Sequence, residues 1–252
     1  MIIDADVHIT TTGEGIAIEE LIRRMEKAGV DKALTWLQPP YMREIDGLNE
    51  YVYKAVRSYP EKILGFGWAD PNLGIGKARD MVKKCIYEYG FYGVKMNGAQ
   101  NSYFIDDPVR AMPVVEEIAK TGKIIAFHVG ADAYEFTNPF RVAKIARLYP
   151  EMQVLMVHMG GAGFPNMSRA AIEAALECPN MTMIGSAIGS YAILNAIRQL
   201  GAGRVCFGSD TPFEPMHVEL AKYNALLDGE LSEEEKYNVM AGNIIRLLKL
   251  ST

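Results

Sequence analysis

Five side chains that could bind a metal ion stand at the ends of short apolar runs. They are Asp6 and His8 in MIIDADVHIT, His128 in KIIAFHVG, His158 in QVLMVHMG and Asp210 in RVCFGSDTP. The chain has only four histidines, and three of them occur in this setting. Imidazole and carboxylate groups are typical ligands of catalytic divalent ions, which acidify a bound water and polarise a carbonyl group. The set predicts a metal-dependent hydrolytic centre.

The elements that must position these residues alternate along the chain as strand and helix. Near-continuous apolar runs are typical of strands that are covered on both faces. The eight predicted strands are Ile2–Ile9, Asp31–Leu37, Ile63–Ala69, Gly93–Asn97, Lys123–Val129, Gln153–Met159, Met181–Ala187 and Val205–Ser209. Eight such units predict an α/β fold with a single closed (β/α)8 TIM-like barrel over residues 1–252. An open doubly wound sheet is the alternative.

Helix boundaries are marked by capping residues. Asp107 and Asn138 each precede a proline, which suits the start of a helix. Ser232 followed by Glu235 forms a capping box, which predicts a last helix that runs to Leu250 and extends the barrel at its C-terminal end.

A barrel explains how ligands from distant segments could meet. The carboxyl ends of its strands lie on one rim, where barrel enzymes carry their catalytic residues. Asp6 and His8 are two residues apart on a strand, so both side chains can face the same ion.

Composition excludes several classes of function. The net charge of −5 and the lack of a basic block argue against nucleic-acid binding. No apolar run is long enough to cross a membrane, and the strand-like N-terminus does not suggest a signal peptide. The three cysteines have no metal-binding or redox spacing, which is typical of buried thiols in a reducing compartment. We therefore expect a cytoplasmic protein.

The order of its motifs makes the whole chain resemble the amidohydrolase superfamily. Within it, the chain is most similar to the amidohydrolase-related group that includes the aminocarboxymuconate-semialdehyde decarboxylase-like enzymes. The motifs are IIDADVH, GVKM, AFHVG, VHMGG, GSDTPF and GNIIRLL.

The resemblance implies a role for each matching residue. His8, His128 and Asp210 would be metal ligands, and Asp6 stands where this family more often has histidine. His158 would lie beside the metal-bound water or the substrate oxygen, and Asp210 would also act as general base.

The carboxylate at Asp6 affects which ion the site prefers. We expect one divalent ion, with zinc first and manganese made more competitive by the second carboxylate. Two alternatives stay open: Asp6 could orient His8 or another ligand without touching the ion, or the site could have lost its metal.

Residues at the predicted rim suggest a small cyclic or planar substrate. Trp36, Lys95, Asn97 and His217 are predicted to bind it, and Arg43 is the nearest candidate for an arginine that binds a carboxylate. An alternative for Lys95 is carbamylation, since in binuclear relatives a carbamylated lysine at this strand bridges two metals.

These residues favour hydrolysis of a small ester, lactone or amide by a metal-activated water. The first alternative is non-oxidative decarboxylation of a small aromatic or enoic acid, which uses the same kind of metal centre. The second alternative is a barrel that binds a ligand without catalysis. A small molecule is the expected partner, and we also expect a homodimer.

Overall fold

A computed structural model describes residues 1–11, 13, 15–38, 44–130, 132–162 and 167–251. Nine parallel strand segments follow one another in chain order around the barrel. They are Ile3–Ile9 (β1), Lys32–Leu37 (β2), Ile63–Gly65 (β3), Gly67–Trp68 (β4), Gly93–Met96 (β5), Ile124–Gly130 (β6), Val154–Ala162 (β7), Met181–Ile184 (β8) and Val205–Cys206 (β9).

The strands close into a barrel, as predicted. Segments β3 and β4 are two parts of the third strand, interrupted at Phe66, whose amide donates to the Thr35 carbonyl. The chain beyond β9 pairs with β1, because the Ala5 amide donates to the Phe207 carbonyl and Val7 forms a bridge with Thr211. Eight strand positions therefore form a (β/α)8 barrel, and the open doubly wound sheet is excluded.

Helices cover the outside of the barrel, and their apolar faces pack against the strands. They are Ile18–Ala28 (α1), Asp46–Ser58 (α2), Ile75–Lys83 (α3), Gly98–Asn101 (α4), Met112–Lys120 (α5), Pro139–Leu148 (α6), Met167–Glu177 (α7), Ser190–Leu200 (α8), Met216–Leu227 (α9), Glu233–Tyr237 (α10) and Asn243–Leu248 (α11).

A second cluster of apolar residues fills the barrel interior. Trp36, Phe66 and Leu155 belong to it, together with Ile244 and Leu248 of α11. The predicted C-terminal extension is thus confirmed: its last helix packs against residues of the barrel interior. No helix in the described ranges has the length and apolar character needed to cross a bilayer.

Two predicted helix boundaries were wrong. The Asp107 carboxylate accepts hydrogen bonds from the Val109 and Arg110 amides, but these close a turn, and the helix begins only at Met112. The last helix runs without a break from Glu233 through a wider π-helical turn at Asn238–Gly242, and it ends at Leu248 and not at Leu250. The caps at Asn138 and Ser232 are confirmed.

A β-bulge in β1 turns the candidate ligands into the barrel. The pairing of β1 with β2 shifts register between Asp4 and Val7. Ala5 packs in the barrel interior, whereas Val7 packs in the outer layer. Strict alternation would place both on one face, so the bulge reverses the alternation and directs Asp6 and His8 inward.

Candidate metal centre

Asp6, His8 and Asp210 form a compact group at the carboxyl ends of the strands. The Nε2 atom of His8 lies 3.5 Å from Oδ1 of Asp6 and 3.6 Å from Oδ1 of Asp210. One ligand atom from each residue lies within 4.8 Å of the others, which is close enough for all three to hold one cation. The structure thus brings together three of the four predicted ligands.

The backbone that carries Asp6 and Asp210 is fixed by the buried Asp4 carboxylate. Its Oδ1 atom accepts hydrogen bonds from the Asp6 amide at 3.1 Å and the Ser209 amide at 2.8 Å. The Asp210 amide donates to the Asp6 carbonyl at 2.9 Å, and Asp210 itself has a positive φ of 62°. Such a backbone conformation is uncommon outside glycine and is typical of residues held in place at functional sites.

The His8 ring is oriented by a hydrogen bond from behind. Its Nδ1 atom lies 2.8 Å from the Leu37 carbonyl, which can only accept, so Nδ1 carries the proton. The lone pair of Nε2 therefore faces the two carboxylates, as a metal ligand requires. In this arrangement the indole Nε1–H of Trp36 donates to Nε2 at 3.1 Å.

Lys95 supplies a buried positive charge beside this group. Its Nζ atom is 3.6 Å from Oδ1 of Asp6 and 3.8 Å from the centre of the Trp36 ring, with the Trp68 ring at 5.5 Å. Neither Nζ of Lys95 nor Oδ1 of Asp6 has a hydrogen-bonding partner within the described part of the chain. The two atoms instead face each other as a buried ion pair.

Burial and the neighbouring charges shift the pKa values of several groups in this centre in opposite directions. Burial alone would raise the pKa of Asp6, but the charge of Lys95 and the adjacent His8 imidazole hold that pKa well below its usual range. Burial and the charge of Lys95 act to lower the pKa of His8, but the adjacent carboxylates of Asp210 and Asp6 raise it overall. Burial lowers the pKa of Lys95, and burial raises the pKa of Asp4 to about 7.

His128 and His158 lie together on the adjacent strands β6 and β7. Their ring centres are 4.7 Å apart in an edge-to-face arrangement, and the Nε2 atom of His128 is buried with no hydrogen-bonding partner among the described residues. Burial, followed by the charge of His158, lowers the pKa of His128 well below its usual value, which favours the neutral imidazole that metals bind. His128 nevertheless lies outside the group of three.

Ser186 connects His158 to Asp6. Its hydroxyl donates to Oδ2 of Asp6 at 2.5 Å and lies 3.0 Å from Nδ1 of His158. The sequence analysis did not identify this residue. The signal available was its position at the end of the predicted strand Met181–Ala187, by the same rule that identified the ligands.

The residues present fit a divalent ion. Two carboxylate oxygens and one imidazole form the group, and the Nε2 atom of His128 has no hydrogen-bonding partner in the described part of the chain. A donor set rich in oxygen favours harder ions such as manganese over zinc, compared with a site built from histidines alone.

Two predicted substrate-binding residues lie in other settings. The side chain of Asn97 caps α4, accepting from the Gln100 amide at 3.1 Å. His217 is exposed on α9 and lines a surface cavity of about 430 Å³ together with Phe213, whose ring packs edge-on against His8. Arg43 lies outside the described residues.

Comparison with known proteins gives a consistent family. The amidohydrolase family model matches residues 38–250. The 2-amino-3-carboxymuconate-6-semialdehyde decarboxylase of Dictyostelium discoideum is 24% identical over 240 residues, covering 81% of this chain and 66% of that protein. This chain therefore spans about two thirds of that relative's length.

Solved structures with the same fold include two decarboxylases. The 5-carboxyvanillate decarboxylase of Sphingomonas paucimobilis superimposes with a TM-score of 0.79 at 17% identity, over 99% of each chain. A dihydroxybenzoic acid decarboxylase of Polaromonas sp. JS666, solved with manganese and the inhibitor 2-nitroresorcinol, gives a TM-score of 0.79 at 18% identity, over 99% of this chain and 97% of that one.

These comparisons correct one expectation. The prediction of a hydrolase for esters, lactones or amides was wrong, because the relatives are decarboxylases. Both reactions use the same kind of metal centre, so the predicted ligands alone could not separate them. The preference for zinc gains no support, since the relative solved with a metal holds manganese. On the match over residues 38–250, the chain belongs to the amidohydrolase family, in the group of aminocarboxymuconate-semialdehyde decarboxylase-like proteins.

Proposed function

We propose that this protein is a metal-dependent, non-oxidative decarboxylase of a small aromatic or enoic carboxylic acid. The observation that carries the proposal is the buried ammonium of Lys95, which lies 3.6 Å from Asp6 in the group of Asp6, His8 and Asp210 and has no hydrogen-bonding partner among the described residues. A carboxylic acid substrate offers an anion to that charge, whereas a neutral ester or lactone does not. The decarboxylase relatives support the same reaction.

We further propose that Asp6, His8 and Asp210 bind one divalent ion, manganese in preference to zinc, with His128 as a fourth ligand. The unpartnered Nε2 of His128 supports its inclusion. Such an ion, when bound, polarises an oxygen of the substrate as a Lewis acid. Carbamylation of Lys95 is not part of this proposal, because the amine already lies 3.6 Å from a carboxylate and its charge has a use in the site.

Lys95 and the aromatic residues around it are proposed to hold the substrate. The two tryptophan rings lie beside its ammonium group and offer flat apolar surfaces to a planar acid. Phe213, which is half exposed and contacts His8, forms part of the wall between the metal group and the surface cavity at His217. Because His217 lines that surface cavity and is not part of the metal group, we assign it no contact with the reacting part of the substrate.

His158 is proposed to deliver the proton that the reaction consumes. Decarboxylation breaks the bond between the carboxylate group and the carbon atom that carries it. The electron pair stays on that carbon atom, carbon dioxide leaves, and a proton takes the place of the carboxylate. The Nδ1 atom of His158 is occupied by Ser186, so Nε2 is the nitrogen that can exchange a proton with a bound molecule. Asp210, whose Oδ1 atom lies 3.6 Å from Nε2 of His8, is the second candidate for this transfer.

The test is carbon dioxide release from a panel of hydroxybenzoic and enoic acids by manganese-loaded protein. We expect turnover of at least one acid, its loss after chelation, and its recovery with manganese. The variant His158→Asn should retain manganese while losing about 10²- to 10⁴-fold in turnover. Absence of carbon dioxide release from every acid in the panel would contradict the proposal. The cytoplasmic location and the homodimer stay predictions.

A further inference from the structure

The buried hydroxyl of Ser186 lies between a proposed metal ligand and the proposed proton donor. It is 2.5 Å from Oδ2 of Asp6 and 3.0 Å from Nδ1 of His158. Asp6 and His158 themselves are 3.8 Å apart at their nearest atoms, too far for a direct hydrogen bond. The serine is therefore the hydrogen-bonded link between them.

The direction of these hydrogen bonds follows from the chemistry of the groups. A carboxylate can only accept, so the single hydroxyl proton of Ser186 is donated to Asp6. The hydroxyl oxygen can then only accept from the imidazole, so Nδ1 of His158 carries a proton. The Ser186 carbonyl, 3.2 Å from the same nitrogen, requires the same arrangement because it too is only an acceptor.

A glycine at position 208 leaves the space in which Asp6 and Ser186 approach each other. At Gly208, a Cβ atom would lie 3.1 Å from Cβ of Asp6 and 3.3 Å from Cβ of Ser186, so any side chain there would press on both residues. Behind Ser186, the Tyr223 hydroxyl donates to the Gly185 carbonyl at 2.8 Å and fixes the backbone at the end of β8.

We infer that Ser186 is a positioning residue: by binding Oδ2 of Asp6, it turns Oδ1 of that carboxylate towards the metal position. The inference rests on the proposed function, because it takes Asp6 as a ligand. Oδ1 is the oxygen that lies near Nε2 of His8 and has no hydrogen-bonding partner among the described residues. Residues that hold a ligand in this way commonly change metal affinity 10- to 100-fold when they are removed.

The test measures manganese affinity, which needs no substrate. Electron paramagnetic resonance of free Mn²⁺ gives the dissociation constant for the wild type, Ser186→Ala, Ser186→Thr and Ser186→Cys. We expect Ser186→Ala to bind manganese about 10- to 100-fold more weakly. Ser186→Thr keeps the hydroxyl and should recover most of the affinity. Ser186→Cys keeps the size of the side chain with a weaker donor and should fall between them.

The matched control is Thr182→Val, which removes another buried hydroxyl from β8 and should leave manganese affinity unchanged. Wild-type affinity in folded Ser186→Ala would overturn the inference. If Ser186→Ala does not fold, equal affinities for wild type and Ser186→Cys would overturn it instead. A failure of the proposed decarboxylation would appear as missing carbon dioxide release with these differences in affinity still present, so the two results can be told apart.

Discussion

Lys95 acts as the counter-charge of Asp6 when no metal is bound, and replacing it should make the protein depend on the metal for stability. At 3.6 Å and an effective dielectric constant of about 20, the attraction between the two charges is about 5 kcal/mol. Removing one partner of a buried pair leaves the other uncompensated, which costs about 3–5 kcal/mol. We therefore expect Lys95→Met to lose that much stability in a chelating buffer.

Manganese should reverse most of this loss, because the ion itself compensates Asp6. For a domain of this size each kcal/mol changes the melting temperature by about 2–4 °C, so the loss in chelator is about 6–20 °C. In saturating manganese we expect less than half of this decrease in melting temperature. If the stability lost in chelator exceeds the stability lost in manganese by about 2–3 kcal/mol, linkage requires manganese to bind Lys95→Met about 30- to 150-fold more tightly than wild type.

The assay is thermal unfolding followed by circular dichroism, in chelator and in manganese, with a manganese titration of each protein. The control is Arg79→Met, which removes the charge from the Arg79–Glu117 ion pair between α3 and α5, outside the barrel. It should lose the same stability in both buffers. The reasoning is refuted if Lys95→Met loses as much in manganese as in chelator, or binds manganese no more tightly than wild type.

Two further predictions concern Asp4 and the thiols. Asp4→Ala leaves the Asp6 and Ser209 amides buried without an acceptor, so we expect the free energy of unfolding in urea to fall by about 2–4 kcal/mol. Asp4→Asn keeps the accepting oxygen and should lose less than half as much. Equal losses in the two variants would show that these two hydrogen bonds do not matter. Burial raises the pKa of the Cys85 and Cys206 thiols to about 12, so at pH 8 both should resist a disulfide reagent until denaturant is added, and rapid labelling of folded protein would contradict this.

The residues of the candidate metal centre could be predicted because the barrel topology brings the ends of distant strands together. Strand ends share one rim, so residues as distant as His8 and Asp210 can be assigned to one site from their place in apolar runs. The position at a strand end also identified Lys95 and Trp36 as candidate substrate-binding residues. For Asn97 it did not predict the setting, because a residue at a strand end can equally well cap the next helix.

The bulge in β1 could not be predicted in this way. Strict alternation in DADVH places Asp4 on the same face as Asp6 and His8. The structure instead separates them, so that Asp4 binds backbone amides while the other two face the barrel. The hydrogen bond between Ser186 and Asp6 joins residues 180 positions apart, and no local pattern in the sequence encodes such a contact.

The aspartate at position 6 and the lysine at position 95 are best understood together. A carboxylate in place of the family's more common histidine would lower the positive charge of a metal site, and a site with two carboxylates and a divalent ion is formally neutral. The ammonium of Lys95, 3.6 Å from Asp6, adds one positive charge back at a place where no other described group forms a hydrogen bond with it. In a buried site such a charge is costly unless an anion compensates it. A metal ion that binds Asp6 competes with Lys95 for that carboxylate, so an anionic substrate would compensate the ammonium in the loaded site. A carboxylic acid is such an anion, so the charges of this centre are compatible with the proposed decarboxylation.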